Sequence, residues 1–275
     1  MAIEPESLRG LWQREIITYP DGHTDSSLRI YWMQAQNLYA DFRIPFNFAP
    51  FRPDACLADL SPAEMVELAR LGGFAGRIIL DKSECRWIRV IDWQPYSGIP
   101  DVAQLSLEGP DLVEEGGACR GHQIWRRRTS PQVSVFGLEL RDAADGRDGF
   151  LVALAGRFIY ARGRRGPLNP ASGLAELLTA CGGDRDAARA LFDAEVSYGV
   201  IDRQGAWRIE LSTLPWRNGD ALLSSSAALF DERLIVQERD HHGRPVSRIW
   251  EVFTREEHGG AGRWRAQEKS TIDAL

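Results

Sequence analysis

Apolar and polar residues alternate along this chain in one short run after another. From Leu38 to Phe46, the residues Leu38, Ala40, Phe42 and Ile44 fall on one face and Tyr39, Asp41 and Arg43 on the other. Further on, Trp207, Ile209, Leu211 and Thr213 oppose Ala206, Arg208, Glu210 and Ser212. A period of two belongs to half-buried strands and is incompatible with an amphipathic helix. The same reading places strands at 11–19, 27–34, 76–81, 85–93, 102–107, 122–128, 133–140, 151–161, 196–202, 221–229, 232–239 and 246–254. Turn dipeptides such as Asp21-Gly22, Ser97-Gly98, Gln204-Gly205 and Asn218-Gly219 separate several of them. Many short strands joined by tight turns point to antiparallel barrels or sandwiches.

Two helical segments interrupt the strands. In the first, Ser61 can cap, Pro62 suits the first helical position, and Glu64 completes a capping box before Met65, Leu68 and Ala69. The second starts at Asn169-Pro170 and runs through Leu174, Leu177 and Leu178 to Gly182-Gly183, with a further helical stretch from Asp184 to Phe192. The two halves match in order and spacing. Ile79 to Gly98 parallels Val200 to Gly219, with Asp81 against Asp202 and Trp87 near Trp207, and Ile124-Trp125 parallels Ile249-Trp250. We read an internal duplication: two fused antiparallel β-barrels, each with one short helical segment, at 1–130 and 131–275. A length of 275 residues suits two domains of roughly 150 residues each.

Composition narrows the function. The formal net charge of -6 argues against a nucleic-acid binder. No apolar run reaches the roughly 18 residues of a membrane span, and the polar start is unlike a secretory signal. Four cysteines, Cys56, Cys85, Cys119 and Cys181, form no CxxC pair, which suits reduced thiols in a cytoplasmic protein. The sequence has no HExxH, GxSxG, P-loop or GxGxxG motif, so we expect no cofactor and no metal. Lysine occurs only at Lys82 and Lys269, so the positive charge is almost all arginine, whose planar fork suits carboxylates. Of the histidines, His23, His241 and His242 sit in turn sequences.

The segment Leu11-Trp12-Gln13-Arg14, then Tyr19-Pro20-Asp21-Gly22, Trp32-Met33-Gln34 and Tyr39-Ala40-Asp41-Phe42-Arg43-Ile44-Pro45, resembles the opening of a small fungal family. That family is described as kinase-interacting, with two lipocalin-like barrels and no settled biochemical role. The resemblance implies a tandem lipocalin-like architecture and says little about activity. It is carried by about the first 50 residues; the second half has Val135-Phe136-Gly137-Leu138 where Leu11-Trp12 would stand.

An aromatic residue followed two positions later by a polar one recurs in the first half: Trp12-x-Arg14, Trp32-x-Gln34, Tyr39-x-Asp41-x-Arg43, Trp87-x-Arg89 and Trp125-x-Arg127. Such pairs share a strand face. If those faces point inward, the first barrel holds guanidinium groups beside indoles and suits an apolar or aromatic anion. Trp12, Arg14, Trp32, Gln34, Arg43, Trp87, Arg89, Trp93 and Trp125 are then the substrate-binding candidates. Asp41, His122 and Tyr39 are the candidates for moving or donating a proton. The opposite reading turns the arginines to solvent, and the apolar Ala40/Phe42/Ile44 face favours it for that strand. A separate reading makes Trp12, Trp32 and Trp93 plain core residues. The second half, with Val196, Tyr198, Val200, Ile209 and Leu211, reads as ordinary core.

The expectation is a small-molecule barrel acting without cofactor as a lyase, isomerase, hydratase or cyclase on a small apolar or aromatic carboxylic acid. A carrier, sensor or protein-interaction scaffold is the alternative. A haem or tetrapyrrole binder would need an inward-facing histidine. A homodimer is left open.

Overall fold

A computed structural model describes residues 3–49, 52, 55–118, 120–130, 132–223, 232–240 and 242–259. The chain opens with α1 (Pro5–Leu8), followed by β1 (Gly10–Thr18), β2 (Thr24–Asp25), β3 (Leu28–Gln34) and β4 (Leu38–Pro45). Then come α2 (Pro62–Leu68), β5 (Gly72–Asp81), β6 (Glu84–Asp92), β7 (Asp101–Glu108), β8 (Asp111–Gly116) and β9 (Gly121–Arg127). These strands form one antiparallel sheet in sequence order, and β1 pairs with β9 to close it. The short β2 continues the rim beside Ile17 and Thr18.

The second sheet begins with β10 (Val135–Asp142), β11 (Asp148–Leu154) and β12 (Arg157–Arg162). After α3 (Leu174–Ala180) and α4 (Arg185–Leu191), it resumes with β13 (Glu195–Ile201), β14 (Trp207–Ser212), β15 (Ala221–Leu223), β16 (Arg233–Arg239) and β17 (Pro245–His258). Here too the last strand, β17, returns to pair with the first, β10. In each half the helical insertion falls between the third and fourth strands of the main meander, and the final strand comes back to the first. The two barrel-like sheets therefore share one topology, and the chain passes between them after Arg127 and before Val135.

Local chemistry explains most element ends. The Ser61 hydroxyl accepts the Glu64 N–H at 3.3 Å, while the Glu64 carboxylate accepts the Ser61 N–H at 2.8 Å, the reciprocal cap expected from the sequence. The second helix differs from expectation. Asn169 makes a side-chain turn with Ala171, and α3 starts only at Leu174 with Gly173 as its cap. The run 151–161 is two strands, because Ala155 (φ 48°) and Gly156 (φ 76°) turn the chain inside it. The strand β8 has no counterpart among the expected ones. Of the strand expected at 221–229, residues 224–229 lie outside the described residues.

The largest core runs between the barrels. Met33, Leu38, Phe42, Ile44 and Trp93 of the first half pack with Phe150, Val152, Ile159, Val196 and Phe192 of the second. Tyr31 stacks on Tyr198 with ring centroids 4.6 Å apart. Leu68 of α2 and Leu174 of α3 add to the same core. β10 passes close to the β3–β4 turn: a Cβ at Gly137 would lie 3.0 Å from the Ala35 side chain. The Glu256 carboxylate caps that turn, accepting N–H groups of Gln36, Asn37 and Leu38 at 2.9–3.0 Å.

The base of the first barrel is closed by α1. Leu8 and Ile3 pack with Trp12, Leu105 and Leu112. The Trp12 indole N–H donates to the Leu8 carbonyl at 2.7 Å. Arg127 lies over the Trp12 ring, 4.1 Å from its centroid, and donates to the carbonyls of Arg9 and Ser7. The interior of the second barrel is filled by Leu138, Leu140, Phe158, Tyr160, Trp207 and Trp250 with their neighbours. Ile209 belongs to that filling, whereas Val196 and Tyr198 face the core between the barrels.

Candidate functional site

The strand β4 is buried on both faces. Ala40, Phe42 and Ile44 meet the second half, which leaves Tyr39, Asp41 and Arg43 inside the first barrel. The apolar face that argued for solvent-exposed arginines is thus the surface between barrels. The other four aromatic–polar pairs also point inward.

Eight of the candidate residues line one cavity of about 170 Å³: Arg14, Trp32, Tyr39, Asp41, Arg43, Trp87, Arg89 and Trp125. Partly exposed Tyr19, Asp25 and Leu28 line it toward the end opposite α1. Trp12 lies beneath, stacked on Trp32 with centroids 6.3 Å apart. Gln34 is also buried beneath, accepting the Trp32 indole N–H at 3.1 Å. Both support the wall without lining the cavity.

Two candidates fall elsewhere. His122 lies on the outer face of β9, bonded to Glu115, because the inward positions of that strand are Gln123, Trp125 and Arg127. Trp93 packs on Phe192 in the core between barrels. A bulge sends it there: Ala75 pairs with Ile91 but Gly76 with Arg89, so Val90 is extra and the parity of β6 reverses. At Gly76 a Cβ would lie 2.0 Å from the Ile88 carbonyl oxygen, so only glycine fits the bulge.

Sequence reasoning missed Glu114, Gln123, Asp101, Phe74 and Asp92. Arg43 donates to Asp41 at 2.7 Å. Arg89 pairs with Asp101 and lies 3.3 Å from Asp92. Both guanidiniums lie over the Phe74 ring, at 4.5 Å and 3.8 Å from its centroid. Burial would depress both arginines, but the adjoining carboxylates more than offset it and hold them firmly protonated.

Arg14 is different. Its guanidinium donates to the side-chain amide oxygen Oε1 of Gln123 at 3.2 Å and, among the described residues, reaches no carboxylate within 4.0 Å. Burial lowers its pKa, and the charge of Arg43 lowers it further. The same Gln123 donates to Glu114 at 2.6 Å, and the Trp125 indole N–H donates to the other Glu114 oxygen at 3.0 Å. Burial, reinforced by the charge of Asp101, raises the Glu114 carboxyl to about 7. Burial likewise raises Asp41, against the pull of Arg43, and lifts Asp92 to about 6. The Tyr39 hydroxyl is fully buried without a hydrogen-bond partner, and burial raises its pKa well above the usual value.

Charged groups also lie deep in the second barrel, but they satisfy one another. Arg217 pairs with Glu195 at 3.1 Å, both 1% exposed, and Tyr160 donates to Glu238 at 2.8 Å. Among the described residues no cluster of His, Cys, Asp or Glu could hold a metal ion, and no helix is long and apolar enough to cross a membrane.

The fold and site define a class: a mainly β protein of two antiparallel barrel-like sheets, with a polar cavity in the first. No family model matches the chain, and no curated protein matches it. Among solved structures it is similar to an uncharacterized protein of Saccharomyces cerevisiae, YLR301w, with a TM-score of 0.54 and 11% sequence identity. The similarity covers 90% of this chain and 98% of the yeast chain. At that identity the likeness is one of fold alone.

Proposed function

We propose that the first barrel is a lipocalin-like cup that receives a small apolar or aromatic carboxylic acid and performs cofactor-free acid–base chemistry on it. One observation carries this reading: Arg14 and Tyr39 line the same cavity, the guanidinium without a carboxylate in range among the described residues and the buried hydroxyl without a hydrogen bond. A buried cation without a carboxylate is costly, and an anionic guest relieves the cost. The closed meander with one end plugged by α1 supports the cup. A cavity of about 170 Å³ suits a guest near the size of one aromatic ring, since an apolar cavity of about 150 Å³ accepts benzene.

Arg14 holds the guest's carboxylate, Tyr39 donates a hydrogen bond, and Trp32, Trp87 and Trp125 pack against its apolar body. Arg43 and Asp41 neutralise each other, so the proton-transfer role passes from Asp41 to Glu114. A carboxyl near neutrality can both give and take a proton at physiological pH. The reaction class is a lyase, isomerase, hydratase or cyclase step, and the site of action is expected in the cytoplasm.

The test is thermal-shift and calorimetric titration with benzoate and small aliphatic acids. Stabilisation by at least one acid, lost in Arg14→Met, is expected. If no acid stabilises the folded protein, the cup reading fails. If the acid is bound but recovered unchanged from reactions with wild-type protein, the carrier reading replaces catalysis.

A further inference from the structure

A larger cleft, of about 690 Å³, lies outside the first barrel, between α4, the loop after β12 and the β16–β17 end of the second sheet. We propose that it is a second site, for an amphipathic organic anion too large for the first barrel. One wall is apolar, built from Leu168, Leu191, Phe192, Leu214 and Trp216. The volume lies within the range of small-molecule pockets, roughly 300–1,000 Å³.

The floor is a lattice of ion pairs. Arg147 pairs with Asp145 and Asp193, and Arg248 with Glu238 and Asp142. Arg162 lies between Asp193, at 3.3 Å, and Glu238, at 3.5 Å. Three guanidiniums stand there against four carboxylates, so the floor by itself attracts no anion.

The attraction comes from two adjacent arginines, Arg164 and Arg165, which bring five guanidiniums against those four carboxylates and leave one positive charge over. Arg164 is largely buried and donates to the carbonyls of Leu191 (2.9 Å), Asp92 (2.5 Å) and Trp93. Those partners fix the guanidinium but carry no counter-charge, and burial lowers its pKa to about 10. Arg165 is 72% exposed, donates to Asp145 at 3.4 Å and lies 3.9 Å from Asp193, two carboxylates that it shares with Arg147. An acid group at the rim can take up the loosely held Arg165 fork within the positive field of Arg164 while the apolar body lies against Leu168 and Phe192. In the buried Trp216, the indole N–H has no partner.

Titration of the full chain with 8-anilinonaphthalene-1-sulfonate, followed by fluorescence and calorimetry, tests the site. Its three rings exceed a cavity that suits one. Saturable one-to-one binding is expected, weakened about tenfold or more by Arg165→Glu and by Ala190→Glu. Both positions are exposed, so the variants keep the fold, as circular dichroism will show. Arg14→Met leaves the dye bound, and benzoate does not displace it. Absence of saturable binding, or unchanged affinity in both cleft variants, overturns the proposal. Loss of the dye in Arg14→Met, or its displacement by benzoate, overturns it too. Failure of benzoate to bind at all, with the dye still bound, counts against the first-barrel cup alone.

Discussion

The Arg14 guanidinium rests against the side-chain amide oxygen of Gln123, 3.2 Å away and with no carboxylate in salt-bridge range among the described residues, whereas Arg217 in the other barrel meets Glu195 at 3.1 Å. Removing each therefore has opposite consequences. Arg14→Met relieves a buried charge and should leave stability unchanged or raise it by about 1 kcal/mol, while abolishing acid binding. Arg217→Met strands Glu195 and should cost about 3–5 kcal/mol. Urea denaturation of both variants checks the contrast. A loss of several kcal/mol in Arg14→Met would show that the residue is a structural partner.

Glu114 sets a pH dependence. Its folded pKa of about 7, like the value of about 6 at Asp92, is raised above the unfolded one. The stability from these two groups is present below their unfolded pKa values and is lost as pH rises through 6–7. Unfolding free energy should therefore fall between pH 5 and 8. Protonation of Glu114 also removes a negative charge facing an anionic guest. Benzoate, ionised throughout, should bind more tightly at pH 6 than at pH 8, and Glu114→Gln should flatten that dependence. Calorimetry at the two pH values reads it directly.

The base of the first barrel depends on Arg127. Replacing it with methionine removes a guanidinium stacked on Trp12 and its bonds to two carbonyls at the end of α1. A cost of about 2–4 kcal/mol follows from the lost cation–π contact and charged hydrogen bonds. Hydrogen exchange should show faster exchange around Leu8 and Arg9 before global unfolding. Unchanged protection there would mean that α1 is held by Ile3 and Leu8 alone.

Glu256 fastens the barrels to each other. Its carboxylate accepts three consecutive N–H groups across the β3–β4 turn, and Glu256→Ala returns those donors to water. A loss of about 1–2 kcal/mol is expected, with the cooperative transition shifted rather than split. Two separate transitions would mean that the halves unfold independently.

The alternation along β4 was legible in the sequence, but its orientation was not. Period two says which residues share a face; it does not say which face lies inside a barrel when both are buried. Here the polar side is the interior because the apolar side is taken up by the core between the barrels. The duplication was legible because helix position and paired tryptophans survive in both halves. Glu114 escaped because Asp111 to Gly116 mixes two leucine-like positions with two consecutive glutamates and favours neither face. The bulge that turns Trp93 away was equally hidden, since its signal is one glycine, Gly76, in a strand on the far side of the pairing.

The double burial of β4 also bears on dissection. A fragment ending before Pro131 would present Ala40, Phe42 and Ile44 as an uncovered greasy stripe, and the complementary fragment would bare Phe150, Val152 and Val196. Either piece alone is prone to clump, so attempts to obtain a minimal binding unit by truncation should start from the intact pair and silence one barrel by substitution.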